Sequence, residues 1–222
     1  QFDEHLKKDK EGNIVESLVT DWKQSNEATL EVKLHEGVKC EDDADFDAES
    51  VKKSFDRLQD PAIAAPRAFI FEMITEVKVI DEFTVQISTE FPFAPLLAHL
   101  SHPAGVIVSP NQIDAEYEAM ADGKEPSSVI SENPIGTGFF KFESWTPGTE
   151  IILVKHDNYW GDAAHVDKVT FKVIPEGGTR VAELKTGNAH IIEPVQPNEV
   201  QDINGSDNAH VDEKVSSSLN YL

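Results

Sequence analysis

Hydrophobic and polar residues alternate most cleanly over Thr29–Leu34, with Leu30, Val32 and Leu34 on one face and Thr29, Glu31 and Lys33 on the other. A period of two marks a strand with one side in the core and one in water. His35-Glu36-Gly37 then reads as the turn. Upstream, Ile14, Val15, Leu18, Val19 and Trp22 have the spacing of a short amphipathic segment covering one face of a sheet. After Asp47 the period lengthens. Val51, Phe55 and Leu58 form an apolar stripe, which predicts a helix from about Ala48 to Leu58, capped by Asp47 and with Glu49 favourable in its positive first turn. Asp60-Pro61 ends it, because proline lacks an N–H and keeps the preceding residue out of helical geometry.

Ala65–Phe71 begins another short helix or irregular segment, followed by a strand pair, Ile74–Ile80 and Thr84–Ser88, across the turn Asp81-Glu82. Val106–Pro110 reads as a strand and Asn111–Met120 as a helix. Ala121–Ser128 is polar and turn-rich, the composition of a mobile surface loop. From Asn133 the chain is punctuated by glycine: Gly136-Thr137-Gly138 enters a strand, Pro147-Gly148 marks a tight turn, and Ile151–Val154 supplies a returning, largely buried strand. The alternation Val166, Val169, Phe171, Val173 predicts a further strand, and Thr179–Thr186 a short helix stopped by Gly187. Pro194–Ile203 reads as a loop and short helix, and Asn204–Asn208 as a turn before final strands.

Composition narrows the function classes. The 222 residues suffice for a core, and 39% hydrophobic with 27% charged residues describes a soluble globular chain. No run approaches the roughly 20 apolar residues of a membrane span. Asp and Glu number 41 against 19 Lys and Arg, a formal charge of −22 that repels phosphate backbones and disfavours nucleic acid as a partner. A solvated surface accounts for this charge, which names no ligand by itself. Cys40 is the single cysteine, so no internal disulfide forms. The chain opens in mid-pattern at Gln1-Phe2-Asp3, with no initiating Met, signal peptide or lipid-anchor cysteine, and reads as a piece of a longer protein.

Several familiar chemistries fail in detail. The acidic run Glu41–Glu49 suggests calcium, but a calcium loop counted from Asp43 places Ala48 where glycine is required and Ser54 where a carboxylate is required. His99 and His102 are three apart, yet Pro103 ends their helix and no third metal ligand follows. Gly136-Thr137-Gly138 lacks the third glycine of a dinucleotide motif, and no Ser sits in a Gly-x-Ser-x-Gly context, so no enzyme class is indicated.

The order of these features resembles the family 5 extracellular solute-binding proteins, the peptide- and nickel-binding receptors of ABC importers. The resemblance rests on Leu34–Lys39, Phe46–Val51, Gly136-Thr137-Gly138, His156–Trp160, Ile174-Pro175, and the helix with Arg180, Leu184 and Gly187. His190 departs from it, standing where that family commonly has Asp. The resemblance implies a mixed α/β fold, a periplasmic-binding-protein-like type II lobe carrying a small inserted domain. Residues 1–131 would form the small domain and 132–222 part of the first-lobe core, with Ser217–Leu222 leading to the hinge and the second lobe lying beyond the chain. Phe91–Leu100 resembles the family's helix after the second small-domain strand, with Pro95 in its first turn.

The same resemblance implies where ligand would sit. Residues just after the matching proline approach ligand in relatives, which makes Arg67 and Phe69 candidates, Arg67 for a substrate carboxylate through its planar guanidinium. The other reading is a surface Arg and a core Phe. His102-Pro103 matches a cleft loop, or is an ordinary surface loop. Backbone near Gly136, Thr137 and Gly138 would complete this wall, while Trp160 would anchor the core. The implied function is capture of oligopeptides or dipeptides by a monomer, periplasmic or lipid-anchored on the extracellular face, that delivers them to ABC permease subunits. A chelated metal or other small solute, or an adhesion or signalling role, is the alternative. Neither cofactor nor resident metal is implied.

Overall fold

The computed structural model describes residues 2–213. They divide into two compact units, the first holding residues 2–145 and 152–170 and the second 146–151 and 171–213.

In the first unit, β1 (Leu6–Lys8) pairs antiparallel with β2 (Ile14–Glu16). The Asp9 carboxylate closes the connection by accepting the N–H groups of Glu11 at 3.0 Å and Asn13 at 2.8 Å. A four-stranded antiparallel sheet follows, built from β3 (Val19–Asn26), β4 (Thr29–Leu34), β5 (Ile74–Asp81) and β6 (Thr84–Thr89) in the order β3-β4-β6-β5. The segment Ile14–Trp22 is therefore two strands. Register sets Leu30 against Ile87 and Val32 against Val85, so their side chains share one buried face. Thr29 is buried rather than solvated: Thr89 folds over the start of β4, donating its N–H to the Ala28 carbonyl at 2.8 Å and its hydroxyl to the Phe91 carbonyl at 2.7 Å.

Helix α1 (Ala48–Gln59) lies across β5 and β6. Asp47 caps it as expected: Ser50 N–H donates to Asp47 Oδ1 at 2.8 Å, and Asp47 N–H to Ser50 Oγ at 3.0 Å. Val51 and Phe55 are buried with Phe46, Phe71, Leu100 and Ile107 in the core. Helix α2 (Leu96–Leu100) starts after Pro95 rather than around it. α3 (Pro110–Ala121) fulfils the expected helix, and α4 (Ser128–Glu132) follows the exposed loop. A buried ion pair from Arg57 to Glu116 fastens α1 to α3.

Val106–Ser109 is extended but is not the expected strand. Its donors go to three separate partners, Ile107 N–H to Asp3, Val108 N–H to Ser54 Oγ and Ser109 N–H to Ile135, so no ladder forms.

β7 (Phe140–Thr146), β8 (Glu150–Lys155) and β9 (Lys168–Lys172) form a three-stranded sheet in that order. Gly148 takes the left-handed φ of 72° that the β7–β8 turn requires. β8 is only partly buried, and Ile151 is exposed, contrary to the expectation of a buried strand. In the second unit, α5 (Gly177–Thr186) begins two residues earlier than expected, because the Glu176 carboxylate accepts from Gly178 and Thr179 N–H, and it ends at Gly187. α6 (Val200–Asn204) follows, and Ala209–Glu213 forms no strand. The expected hinge-leading strand at Ser217–Leu222 lies outside the described residues.

Candidate functional site

Arg67 caps a 3₁₀ turn, Ala68–Phe71, and is exposed. Of the three arginines, Arg57 pairs with Glu116 and Arg180 donates to the carbonyls of Ile174, Pro175 and Pro194, whereas Arg67 has no ion pair among the described residues. Phe69 is 65% exposed, so it is not a core residue. The turn itself is hydrogen-bonded from behind. Gln59 Nε2 donates to the carbonyls of Phe71 and Ile74, each at 2.9 Å, and His99 Nδ1 lies 2.7 Å from the Ile70 carbonyl, which places a donated proton on that nitrogen.

Phe71 points inward, edge-on to Phe55 at 5.6 Å. A second 3₁₀ turn, Pro103–Gly105, packs on its ring. A Cβ at Gly105 would stand 2.6 Å from Phe71 Cζ, so only glycine permits this approach. His102 accepts the Ala104 N–H through Nδ1 at 3.0 Å and thereby caps the turn, with Pro103 exposed beside it. The structure thus brings Arg67 and Phe69 onto one turn and His102 and Pro103 onto a neighbouring one, joined through Phe71 and Gly105. Sequence reasoning passed over Gln59, Phe71 and Gly105; the glycine two residues after His102-Pro103 was the available signal.

Gly136, Thr137 and Gly138 lie in the interior. Thr137 Oγ1 donates to Asp3 Oδ2 at 3.3 Å, the Gly136 carbonyl accepts from Glu41 N–H at 3.0 Å, and the Gly138 carbonyl lies 3.0 Å from His156 Nδ1. Asp3 is the centre of this network. It is 2% exposed and also receives Lys7 Nζ at 3.1 Å, Trp160 Nε1 at 3.1 Å and the Tyr159 hydroxyl at 3.4 Å. Burial first, and then the Asp3 charge, push the Tyr159 pKa upward and keep its hydroxyl a donor. Trp160 packs against the core and lies 4.8 Å from the His35 ring, an anchoring role as expected.

Cys40 is an inert thiol: burial, reinforced by Asp42 and Glu41, raises its pKa to about 12. Among the described residues no three His, Cys, Asp or Glu side chains converge to hold a metal ion. Nor is any helix among them long and apolar enough to cross a membrane.

Residues 13–222 match the bacterial extracellular solute-binding proteins, family 5 Middle. The chain belongs to that family. The glutathione-binding protein GsiB of Pectobacterium atrosepticum is 32% identical over 189 residues, covering 84% of this chain and 35% of GsiB. Among solved structures, the periplasmic binding protein DppA of Helicobacter pylori, in complex with the peptide STSA, superposes with a TM-score of 0.80 at 27% identity, covering 93% of this chain and 43% of DppA. A nickel ABC transporter structure from Bacillus halodurans gives 0.76 at 26% identity, covering 93% and 40%. The fold is accordingly the mixed helix-and-sheet architecture of the family 5 periplasmic binding proteins, and the chain spans about a third of the length of the curated relatives it matches.

Proposed function

We propose that the protein captures oligopeptides or dipeptides outside the membrane and delivers them to the permease of an ABC importer. The observation that carries this reading is Arg67, a solvent-facing guanidinium without an ion pair among the described residues, next to exposed Phe69 in a chain of net charge −22. Guanidinium offers a carboxylate two parallel N–H donors, and the adjacent ring supplies apolar contact. His102 and Pro103 form the second edge of this wall. Gly136, Thr137 and Gly138 support it through backbone set by the Asp3 network. Residues 1–131 act as a small inserted domain and 132–222 as part of a first-lobe core, with the opposing side of the cleft supplied by the rest of the protein. The receptor works as a monomer, lipid-anchored or periplasmic, binds no nucleic acid and catalyses no reaction. Ligand closes the cleft through its greater affinity for the closed state.

A chelated metal is the second reading, favoured by the similarity to a nickel transporter structure. The same guanidinium would hold the carboxylates of a metal chelate.

Isothermal titration of the whole protein with short peptides, glutathione and a nickel–histidine complex separates these readings. Micromolar or tighter peptide binding supports the first, with little heat from the 222-residue chain run in parallel. Arg67→Ala should weaken binding by roughly 10- to 100-fold, the loss of a charge-assisted hydrogen-bond pair. Unchanged affinity would remove Arg67 from the site, heat with the nickel complex alone would move the ligand class, and tight binding by the chain alone would sink the divided cleft.

A further inference from the structure

Beneath the 3₁₀ turn Pro103–Gly105 lies a cavity of about 60 Å³, bordered by His5, Ser54, Arg57 and Gly105, with Phe55 and Leu58 on its apolar side. His5 is fully enclosed, its ring centroid 5.0 Å from that of Phe55, and neither ring nitrogen has a hydrogen-bond partner. Burial lowers its pKa to about 4, opposed by the backbone of Gly105, which is near enough to act on the ring but outside hydrogen-bond geometry. At neutral pH the ring is therefore uncharged, with one nitrogen a donor and the other an acceptor. A buried polar atom left unpaired carries its whole desolvation penalty.

The cavity matches the share of liquid volume held by about two water molecules. A buried water needs two to four polar partners, and four groups border this space. Besides the His5 ring, Ser54 Oγ is held only by long contacts to Val108, at 3.3 and 3.4 Å. The Arg57 guanidinium binds Glu116 and Ser127 through Nε and Nη2, two of its three nitrogens. The Gly105 backbone completes the set. The Arg57–Glu116 pair supplies the charged groups beside the site, and their opposite signs leave it without a net charge to attract an ion.

We propose that this cavity is an internal water site, in which one or two ordered waters hydrogen-bond a ring nitrogen of His5 and tie it to α1 and to the turn Pro103–Gly105. The inference is independent of the solute-binding reading, because it concerns groups that face the interior.

Crystals of the whole protein, one set native and one pressurised with xenon, provide the test. The expected result is ordered water within about 2.7–3.2 Å of a His5 ring nitrogen, with a second bond to Ser54, Arg57 or Gly105, and no xenon in the cavity. A dry cavity, xenon bound within it, or water that leaves both ring nitrogens unbonded would overturn the proposal. His5→Phe keeps an aromatic ring and removes both nitrogens, so the water should be lost. Its persistence in the same place would show that His5 does not hold it. If this variant fails to fold, the native crystals still decide.

Discussion

Two sheets in this chain carry the same sequence pattern and meet different fates. In the four-stranded sheet, Leu30, Val32 and Leu34 on β4 and Val85 and Ile87 on β6 alternate with polar residues, and all five are buried. Along and just beyond β9, Val169, Phe171 and Val173 alternate as regularly, yet Phe171 is 57% and Val173 54% exposed. α1 lies over the first sheet and brings Val51 and Phe55 to it. No element among the described residues buries Phe171 or Val173. Alternation therefore determines which side chains share a face, while burial depends on a second layer from elsewhere in the chain.

The strongest way to break that comparison is Ile87→Thr. It removes hydrocarbon from a filled site and places a hydroxyl in the core, with an expected cost of about 2–4 kcal/mol, read from urea unfolding. A loss below about 1 kcal/mol would mean that the helical layer does not seal this face.

His5 tests the same sealed interior through pH. Its folded pKa of about 4 lies below its ordinary value of 6.5, so the unfolded chain binds more protons in that window. Stability should be flat above about pH 6.5 and fall as pH drops toward 4, by roughly 3 kcal/mol from this group. Asp9 and Glu176, whose pKa values are lowered chiefly by bonds from Asn13 and Thr179, also lose stability on acidification, but below their ordinary values of 3.8 and 4.5. Urea unfolding of wild type and His5→Phe from pH 7 to 4 isolates the histidine. Parallel profiles would show that bulk water reaches the ring, which one or two enclosed waters would not bring about.

A smaller effect is expected at the edge of the covering layer. Asp47→Ala removes the side-chain acceptor for Ser50 N–H and should cost about 1 kcal/mol in urea unfolding. A neutral result would mean that Ser50 alone satisfies the start of α1.

Such local devices were the most legible part of the sequence. The Asp47 cap, the Asp60-Pro61 stop, the β4 alternation and the Gly187 terminus each depend on residues within one or two turns of one another. Val106–Ser109 misled because a strand is defined by its partners, and here they are Asp3, Ser54 and Ile135, scattered along the chain. The Asp3 network was invisible for the same reason: its bonds to Thr137, Tyr159 and Trp160 span more than a hundred residues. At the candidate site, Arg67 and Phe69 emerged from family resemblance rather than from periodicity. What joins their turn to His102 and Pro103, the fit of Gly105 on Phe71, is a tertiary contact without a local pattern.

Phe171→Thr sharpens the opening comparison with the smallest expected effect. Threonine, like phenylalanine, suits a strand, so the substitution tests burial rather than strand propensity. At Ile87 the same new side chain exchanges packed contacts for an enclosed hydroxyl. At Phe171 water already reaches much of the ring, and the new hydroxyl stays solvated. Stability of the 222-residue chain should change by no more than about 0.5 kcal/mol, the range of an ordinary surface substitution, and its tendency to self-associate should fall as exposed apolar area is removed. A loss of 2 kcal/mol or more in urea unfolding would place Phe171 under a cover, and the two sheets would then differ in degree of burial rather than in having a second layer.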